Sequence, residues 1–263
     1  MQDLNITIVQ SNLVWEDCKA NLVNFDKKLQ LIDGPTDLVV LPEMFNTGFS
    51  INPEKIAEKP YGRAFTWMQE KARQLKCVIT GSVLINDNGK YFNRLFWVHP
   101  DGGFDFYDKR HLFRLGEEYK VFSGGKQRKV FKLNGWKVLP QICYDLRFPV
   151  WSKNRYIDGQ YEYDLMIYVA NWPKVRNYAW KHMLIARAIE NQAYVVGVNR
   201  VGIDGHQIHH SGDSMVLDAK GQVLAQASPG NEEIITSQIS YNEMKTFREQ
   251  FTIGLDWDQF EIS

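Results

Sequence analysis

An alternation of strand, helix and strand opens the chain and limits its possible folds more than any other feature. Residues 4–10 ("LNITIVQ") read as a strand, residues 17–32 ("DCKANLVNFDKKLQLI") as an amphipathic helix, and residues 37–43 ("DLVVLPE") as a second strand. A unit of this kind places its two strands parallel in one sheet. The alternation returns in residues 163–202. The sequence therefore predicts an α/β fold that contains parallel strands.

Between these units the pattern changes to hairpins. Strands outnumber helices, and several are apolar on both faces, so two mixed sheets packed face to face with helices outside would bury them. Residues 1–263 contain no repeat, low-complexity segment or long linker, which predicts a single domain. Tight β-turns are expected at four places: "DNGK" (87–90), "PDGG" (100–103), "LNGW" (133–136) and "DAKGQ" (218–222).

The charge balance and the cysteines exclude several classes of function. The chain has 31 basic and 31 acidic residues, so no electrostatic attraction to nucleic acid or to an anionic membrane is expected. The opening "MQDLNITIVQ" is unlike a secretory signal, and no apolar run is long enough to span a bilayer, so we expect a cytoplasmic protein. Cys18, Cys77 and Cys143 share no short spacing, which argues against a zinc knuckle, a redox dithiol and a disulfide framework.

Cys143 is the first candidate for chemistry. It ends an apolar strand and is followed at once by ionisable residues, in "QICYDLRFP" (141–149). A free cysteine at such a place is commonly a packing residue. However, α/β enzymes build their sites at the carboxyl edge of parallel strands, which makes Cys143 a candidate nucleophile.

A nucleophilic thiol needs a base, and Glu43 is a candidate. It lies just past the strand at residues 37–43, beside apolar residues that would desolvate its carboxylate. Lys109, in "YDKRHLF" (107–113), follows a strand-like run and supplies a positive charge. Judged alone, a residue such as Glu43 is more commonly an acid on a loop, and one such as Lys109 is more commonly a surface charge.

A histidine-rich loop offers a competing interpretation. Asp204, His206, His209, His210 and Asp213 could gather a metal ion and form a metal-dependent hydrolase. No helical spacing holds these residues on one face, and a solvated loop explains them as well. We therefore expect no metal, and the role of the loop stays open.

The order of the motifs points to a family. The segments "LPEMF" (41–45), "YDKRHLF" (107–113) and "ICYDLRFP" (142–149) resemble the three signature segments of the nitrilase, or carbon-nitrogen hydrolase, superfamily. "NWP" (171–173) and the segments after it extend the resemblance over nearly the whole chain. The forms "EMFNTGF" and "KRHLFR" look most like the ω-amidase branch, whose members hydrolyse 2-oxoglutaramate and 2-oxosuccinamate.

The resemblance implies a fold and a catalytic set. The fold is a four-layer α-β-β-α sandwich, usually paired into a homodimer. The family's nucleophile falls on Cys143, its general base on Glu43 and its lysine on Lys109. A second glutamate near the lysine is expected at Glu118, with Glu117 as the alternative.

Further residues are expected to bind the substrate. The backbone N–H of Tyr144 would join Lys109 in stabilising the oxyanion. Arg147 would bind a substrate carboxylate in the ω-amidase branch, the alternative being a salt bridge with Asp145. Trp172 and Phe45 are expected to wall the pocket or to belong to the core, while Asp145 and Arg187 are expected to orient their neighbours.

The resemblance therefore implies an ω-amidase that converts a small dicarboxylate monoamide into a dicarboxylate and ammonia through a cysteine thioester, without a cofactor. Another aliphatic amidase, a nitrilase or an N-carbamoyl amino acid hydrolase would use the same residues around a different pocket. A catalytically silent scaffold is disfavoured, because Glu43, Lys109 and Cys143 are all present.

Overall fold

The computed structural model describes residues 1–262. The helices are α1 (Cys18–Leu29), α2 (Pro53–Ile56), α3 (Arg63–Leu75), α4 (Pro149–Ser152), α5 (Asn177–Asn191) and α6 (Tyr241–Gln250). The strands are β1 (Leu4–Gln10), β2 (Leu38–Val40), β3 (Val78–Asp87), β4 (Lys90–Val98), β5 (Phe104–Asp108), β6 (Phe131–Leu133), β7 (Trp136–Ile142), β8 (Tyr156–Ile157), β9 (Gln160–Tyr161), β10 (Leu165–Ala170), β11 (Tyr194–Asn199), β12 (Val201–Ile203), β13 (His209–Ser211), β14 (Met215–Leu217), β15 (Val223–Gln226) and β16 (Glu233–Ile239).

Two six-stranded sheets form the centre of the protein. One has the order β16-β1-β2-β3-β4-β5 and the other the order β15-β14-β11-β10-β7-β6. Strands β1, β2 and β3 run parallel in the first sheet, and β7, β10 and β11 run parallel in the second. The outer pairs are antiparallel, among them β1 with β16 and β6 with β7. Both sheets are therefore mixed, as the sequence predicts.

The buried side chains divide into layers. One apolar cluster lies between the two sheets and includes Ile6, Trp97 and Ile167. A second lies between the first sheet and helices α1 and α3, and a third between the second sheet and α5. Because burying a large apolar side chain contributes about 1.5–3 kcal/mol, these layers supply the main driving force for folding. The predicted four-layer α-β-β-α sandwich is confirmed.

Local sequence sets the ends of the outer helices. Asp17 caps α1 by accepting a hydrogen bond from the backbone N–H of Ala20 at 2.9 Å. Helices α3 and α5 are followed by Lys76 and Gln192, which cap them with left-handed backbones at φ of 55° and 47°. Within residues 1–262, no helix has the length and apolar character that crossing a bilayer requires.

The strands deliver polar residues to one place. Glu43 lies three residues after the end of β2, Lys109 directly after β5, Cys143 directly after β7 and Asn171 directly after β10. The first two strands belong to one sheet and the last two to the other. These side chains from both sheets therefore lie close together where the ends of the four strands meet, which we call the seam between the two sheets.

Candidate active site

Three side chains from distant parts of the chain meet at this seam. The Lys109 ammonium lies 2.9 Å from Glu43 Oε1, and the Cys143 thiol lies close enough to the Glu43 carboxylate for the two groups to interact electrostatically. Glu43 and Lys109 are buried, with 0% and 1% of their surface exposed, whereas Cys143 is partly exposed and lines a cavity. The structure thus brings together the nucleophile, base and lysine candidates.

Two asparagines orient the Glu43 carboxylate. Asn93 Nδ2 donates to Oε1 at 2.8 Å, and the backbone N–H of Asn171 donates to Oε2 at 2.8 Å. The Asn171 side chain donates in turn to the Glu43 carbonyl oxygen at 2.6 Å. These contacts hold the carboxylate in one orientation beside the sulfur.

The second glutamate at the lysine is Glu118. Its carboxylate lies 2.9 Å from Lys109 Nζ and also accepts a hydrogen bond from the backbone N–H of Phe113 at 2.6 Å. Glu117 is exposed and pairs with Lys120 at 2.5 Å. The left-handed backbone of Glu117, with φ of 55°, turns the chain so that the two neighbouring acids face different surroundings.

In this cluster, burial and the neighbouring charges shift the pKa of a group in opposite directions. Burial lowers the pKa of Lys109, but the carboxylates of Glu118 and Glu43 outweigh burial and raise it above its ordinary value. Burial raises the pKa of Glu118, against the opposing effect of Lys109. Burial also raises the pKa of the Cys143 thiol well above its usual range, with Glu43 adding to the effect and Lys109 opposing it. The resting thiol therefore keeps its proton at neutral pH, although Lys109 favours the thiolate.

Cys143 occupies a strained turn. A 3-10 turn at Cys143–Arg147 follows β7 without a linker, and the backbone of Cys143 is left-handed with φ of 43°. Residues other than glycine rarely adopt this conformation, which is found often at catalytic positions. The backbone N–H of Tyr144 lies in the first turn, where N–H groups have no acceptor within the helix.

Asp145 ties this turn to the segment that carries Lys109. Its buried carboxylate accepts hydrogen bonds from the backbone N–H groups of Ile142 and His111, both at 3.0 Å, and from the Tyr107 hydroxyl at 2.8 Å. The ring of His111 lies 2.8 Å from the same carboxylate and stacks on Phe148. Asp145 therefore fixes the spacing between nucleophile and lysine without lining the cavity.

The three central residues line a cavity of about 300 Å³. Tyr144, Arg147 and Trp172 also line it. The Arg147 guanidinium lies 4.8 Å from the centroid of the Trp172 ring, and it has no ion pair among residues 1–262, so Asp145 is not its partner. Other walls are mainly apolar: Phe49, Ile51, Phe113, Leu115, Pro173 and Ile208.

The prediction that Phe45 forms a wall of the pocket is wrong. Within residues 1–262, Phe45 is not one of the side chains that line this cavity. It is fully buried in the core outside the first sheet, 5.6 Å from the Phe25 ring and 5.7 Å from the Trp67 ring. Met44, with φ of 43°, turns the chain between Glu43 and Phe45, so the two side chains separate. Phe49 lines the cavity instead, with its ring 5.2 Å from Lys109 Nζ.

The histidine-rich loop borders the cavity through Asp204, His206 and His210. Asp204 Oδ1 accepts hydrogen bonds from the backbone N–H groups of His206 and Ile208, at 2.8 and 3.0 Å, and so shapes the loop. Burial and nearby Arg200 lower the pKa of His210 to about 4, so it is neutral at physiological pH. Among the residues that the structure describes, no three His, Cys, Asp or Glu side chains are grouped to hold a metal ion.

Sequence reasoning missed Asn93 and Arg176. Asn93 lies within β4, where nothing in the local pattern distinguishes it from a packed strand residue. Arg176 lines the cavity wall three residues after Pro173 of "NWP". The position of Arg176 in the sequence could have indicated this. Asn171 directly follows the end of β10, and the turn after a strand end stays near that end.

Comparisons with known proteins agree with this geometry. Residues 5–249 match the family model described as "Carbon-nitrogen hydrolase". The chain is 45% identical to "Omega-amidase YafV" of Yersinia enterocolitica, covering 99% of both chains. It is 33% identical to "2-oxoglutaramate amidase" of Bacillus subtilis, covering 94% of this chain and 95% of that one.

A solved structure agrees over the full length. The crystal structure of a CN-hydrolase superfamily protein from Xanthomonas campestris, which has an arsenic adduct in its active site, matches with a TM-score of 0.98 and 43% identity, covering 100% of both chains. With the family model and these relatives, the fold and the cluster at the sheet seam have one explanation: this chain is a member of the carbon-nitrogen hydrolase family.

Proposed function

We propose that the protein is an ω-amidase that hydrolyses the terminal amide of small dicarboxylate monoamides such as 2-oxoglutaramate and 2-oxosuccinamate. One observation carries the proposal: an unpaired guanidinium, Arg147, shares a cavity with Cys143, Glu43 and Lys109. An acyl-transfer site with a free cation in an apolar pocket suits an amide that bears a carboxylate at its far end. Two relatives of the chain, an ω-amidase and a 2-oxoglutaramate amidase, support the same activity.

The first step is thiol attack on the amide carbon. Glu43 takes the proton of Cys143 as the sulfur forms its bond to carbon, so no free thiolate has to accumulate. This order follows from the raised pKa of the thiol. The amide oxygen becomes an oxyanion, which the Lys109 ammonium and the backbone N–H of Tyr144 stabilise.

The second step releases ammonia. Glu43 passes its proton to the amide nitrogen, the carbon-nitrogen bond breaks, and Cys143 is left as a thioester. The burial of Glu43 and its contacts with Asn93 and Asn171 keep the carboxylate aimed at the same place through both proton transfers. Glu118 keeps Lys109 charged and in position, since the lysine pKa stays raised between two carboxylates.

The third step is hydrolysis of the thioester. Glu43 takes a proton from water, the hydroxide attacks the carbonyl carbon, and the carbon-sulfur bond breaks. The thiol then recovers its proton from Glu43. The products are a dicarboxylate and ammonia, and the enzyme returns to its starting state.

A substrate panel tests the assignment. Rates of ammonia release are measured for 2-oxoglutaramate, 2-oxosuccinamate, pentanamide, a simple nitrile and an N-carbamoyl amino acid. We expect the two oxo acid amides to have the highest kcat/KM. A higher kcat/KM for pentanamide, the nitrile or the carbamoyl compound would reject the ω-amidase and favour another member of the family.

The covalent step has its own test. Intact-protein mass spectrometry after rapid quenching with 2-oxoglutaramate should show an acyl adduct, which peptide mapping should locate to Cys143. Cys143→Ala should lack the adduct and release no ammonia while keeping its circular dichroism spectrum. Ammonia release by Cys143→Ala at the wild-type rate would rule out this nucleophile.

We also propose a cytoplasmic homodimer. Apolar side chains at the start of α4 and before and within α5 are exposed in the single chain: Val150 at 58%, Val175 at 85% and Tyr178 at 72%. Such surface favours association with a second copy. Light scattering after size-exclusion chromatography measures the mass directly, and cell fractionation tests the location; a monomer at micromolar concentration would contradict the dimer.

A further inference from the structure

A second arginine lines the cavity beside the one that the sequence motif indicates. Arg176 is half-buried, and its guanidinium lies 5.5 Å from the centroid of the Phe113 ring. Arg147 lies over Trp172 in the same cavity. Each guanidinium therefore rests on an aromatic wall, which stabilises the cation without using its N–H donors.

Both guanidinium groups are without a protein partner. Within residues 1–262, neither Arg147 nor Arg176 donates a side-chain hydrogen bond or forms an ion pair. The nearby acids are engaged elsewhere: Asp204 holds the backbone of its own loop, and Glu117 pairs with Lys120. Arg147 is exposed and Arg176 is half-buried, so the N–H donors of both guanidinium groups are available to an anionic ligand that enters the cavity.

The backbone of Arg176 is fixed in place. Its carbonyl oxygen accepts a hydrogen bond from Trp172 Nε1 at 2.8 Å, and its N–H donates to the Pro173 carbonyl oxygen at 3.0 Å. Helix α5 begins at the next residue, so the positive end of that helix lies beside Arg176. The Trp172 side chain thus supports Arg147 with its ring and Arg176 with its N–H.

We infer that Arg176 is a specificity-determining residue that binds the oxo acid end of the substrate together with Arg147. This inference rests on the proposed ω-amidase function and deepens it. The carboxylate and the neighbouring 2-oxo group present three acceptor oxygens, more than a single guanidinium fork can bind in one plane. Two guanidinium groups on adjacent walls bind this end while leaving the amide free to reach Cys143.

Binding of 2-oxoglutarate, the dicarboxylate product, tests the inference directly. Isothermal titration calorimetry is performed on Cys143→Ala protein, alone and combined with Arg176→Ala, Arg147→Ala or Lys174→Ala. Lys174 is the matched control, because it is an exposed cation in the same 3-10 turn as Arg176 and does not line the cavity. We expect Arg176→Ala and Arg147→Ala each to weaken binding about 10- to 100-fold and Lys174→Ala less than twofold. Unchanged affinity in Arg176→Ala, or no binding by the parent protein, would overturn the inference.

Kinetics separate binding from a structural role. Arg176→Ala should raise KM for 2-oxoglutaramate with little change in kcat, and should leave kcat/KM for pentanamide within about threefold. Arg176→Lys, which keeps the charge but loses the fork, should fall between wild type and Arg176→Ala. Equal losses with both amides would mean that Arg176 only supports the fold. If wild type prefers pentanamide, the ω-amidase proposal fails, and the calorimetry still decides whether Arg176 binds carboxylates.

Discussion

The Nζ atom of Lys109 lies 2.9 Å from Oε1 of Glu43, and both side chains are withdrawn from solvent. An isolated pair of this kind would neutralise the carboxylate that has to accept the thiol proton. Glu118 prevents this, because its carboxylate also lies 2.9 Å from Lys109 Nζ, so the positive charge of Lys109 interacts with two carboxylates. The cluster of one cation and two carboxylates keeps a net negative charge while Lys109 stays protonated.

Glu118→Gln should therefore slow catalysis more than it destabilises the fold. Lys109 then loses one of the two carboxylates that position it beside Glu43 and the oxyanion, and kcat should fall about 10- to 100-fold. The free energy of unfolding should change by no more than about 1 kcal/mol, since the buried charges that remain balance each other. Steady-state ammonia release and urea denaturation measure the two effects.

Glu117→Gln is the control for this substitution, because Glu117 borders the cavity but pairs with Lys120 and not with Lys109. It should stay within about twofold of wild type in kcat. Comparable losses in both variants would show that the segment, and not the charge on Glu118, is what matters.

Glu43→Gln should inactivate the enzyme and yet make its cysteine easier to ionise. The negative charge of Glu43 raises the pKa of the Cys143 thiol while Lys109 lowers it, so removing the carboxylate lowers this pKa. Thiolate formation should then begin at a lower pH than in wild type, while kcat falls about 100- to 10,000-fold through loss of the base.

Ultraviolet absorbance of the thiolate against pH measures this shift, with the matching Cys143→Ala protein subtracted. Burial raises the pKa of Cys18 and Cys77 to about 12, so these thiols contribute little at lower pH. A midpoint in Glu43→Gln equal to or above that of wild type would contradict the electrostatic account.

Asp145→Asn should destabilise the contact between the turn that carries Cys143 and the segment that carries Lys109. The buried carboxylate accepts from four donors on Ile142, His111 and Tyr107, and an amide would present its NH2 group to some of them. The free energy of unfolding should fall by about 3 kcal/mol, and kcat should fall with it. Urea denaturation checks the stability, and Asp105→Asn, on the exposed face of β5, should leave it unchanged; equal stability of the two variants would mean that Asp145 is dispensable.

Arg147→Lys should change substrate binding and leave the chemistry intact. Lysine keeps the charge but cannot form two parallel hydrogen bonds with a carboxylate or lie flat on Trp172. KM for 2-oxoglutaramate should rise at least about tenfold, with kcat within about threefold. Initial-rate kinetics measure both constants, and a fall in kcat at unchanged KM would argue against a binding role.

Much of the fold could be predicted because its signals are local. The parallel units at residues 4–43 and 163–202 and the four tight turns are each encoded within short stretches, and each turn lies between paired strands of the structure. The pairing of β1 with β16 could not be predicted from periodicity, since it joins segments more than 200 residues apart.

The residues of the site also fall into two groups, those with a local sequence signal and those whose position depends on tertiary structure. Glu43, Lys109 and Cys143 follow strands and break an apolar pattern, so they were recognisable, and the structure brings them together. Phe45 was misplaced because a left-handed Met44 reverses the direction of the next side chain, a detail that composition does not reveal. Arg176 reaches the cavity through the packing of its turn against Trp172, which depends on tertiary structure.

The left-handed backbone at Cys143 also limits which nucleophiles this scaffold can accept. Serine has the same unbranched shape as cysteine and fits the turn at similar strain. Threonine adds a methyl group on Cβ, where a positive φ leaves the least room. The architecture thus disfavours a β-branched nucleophile at this position through main-chain sterics.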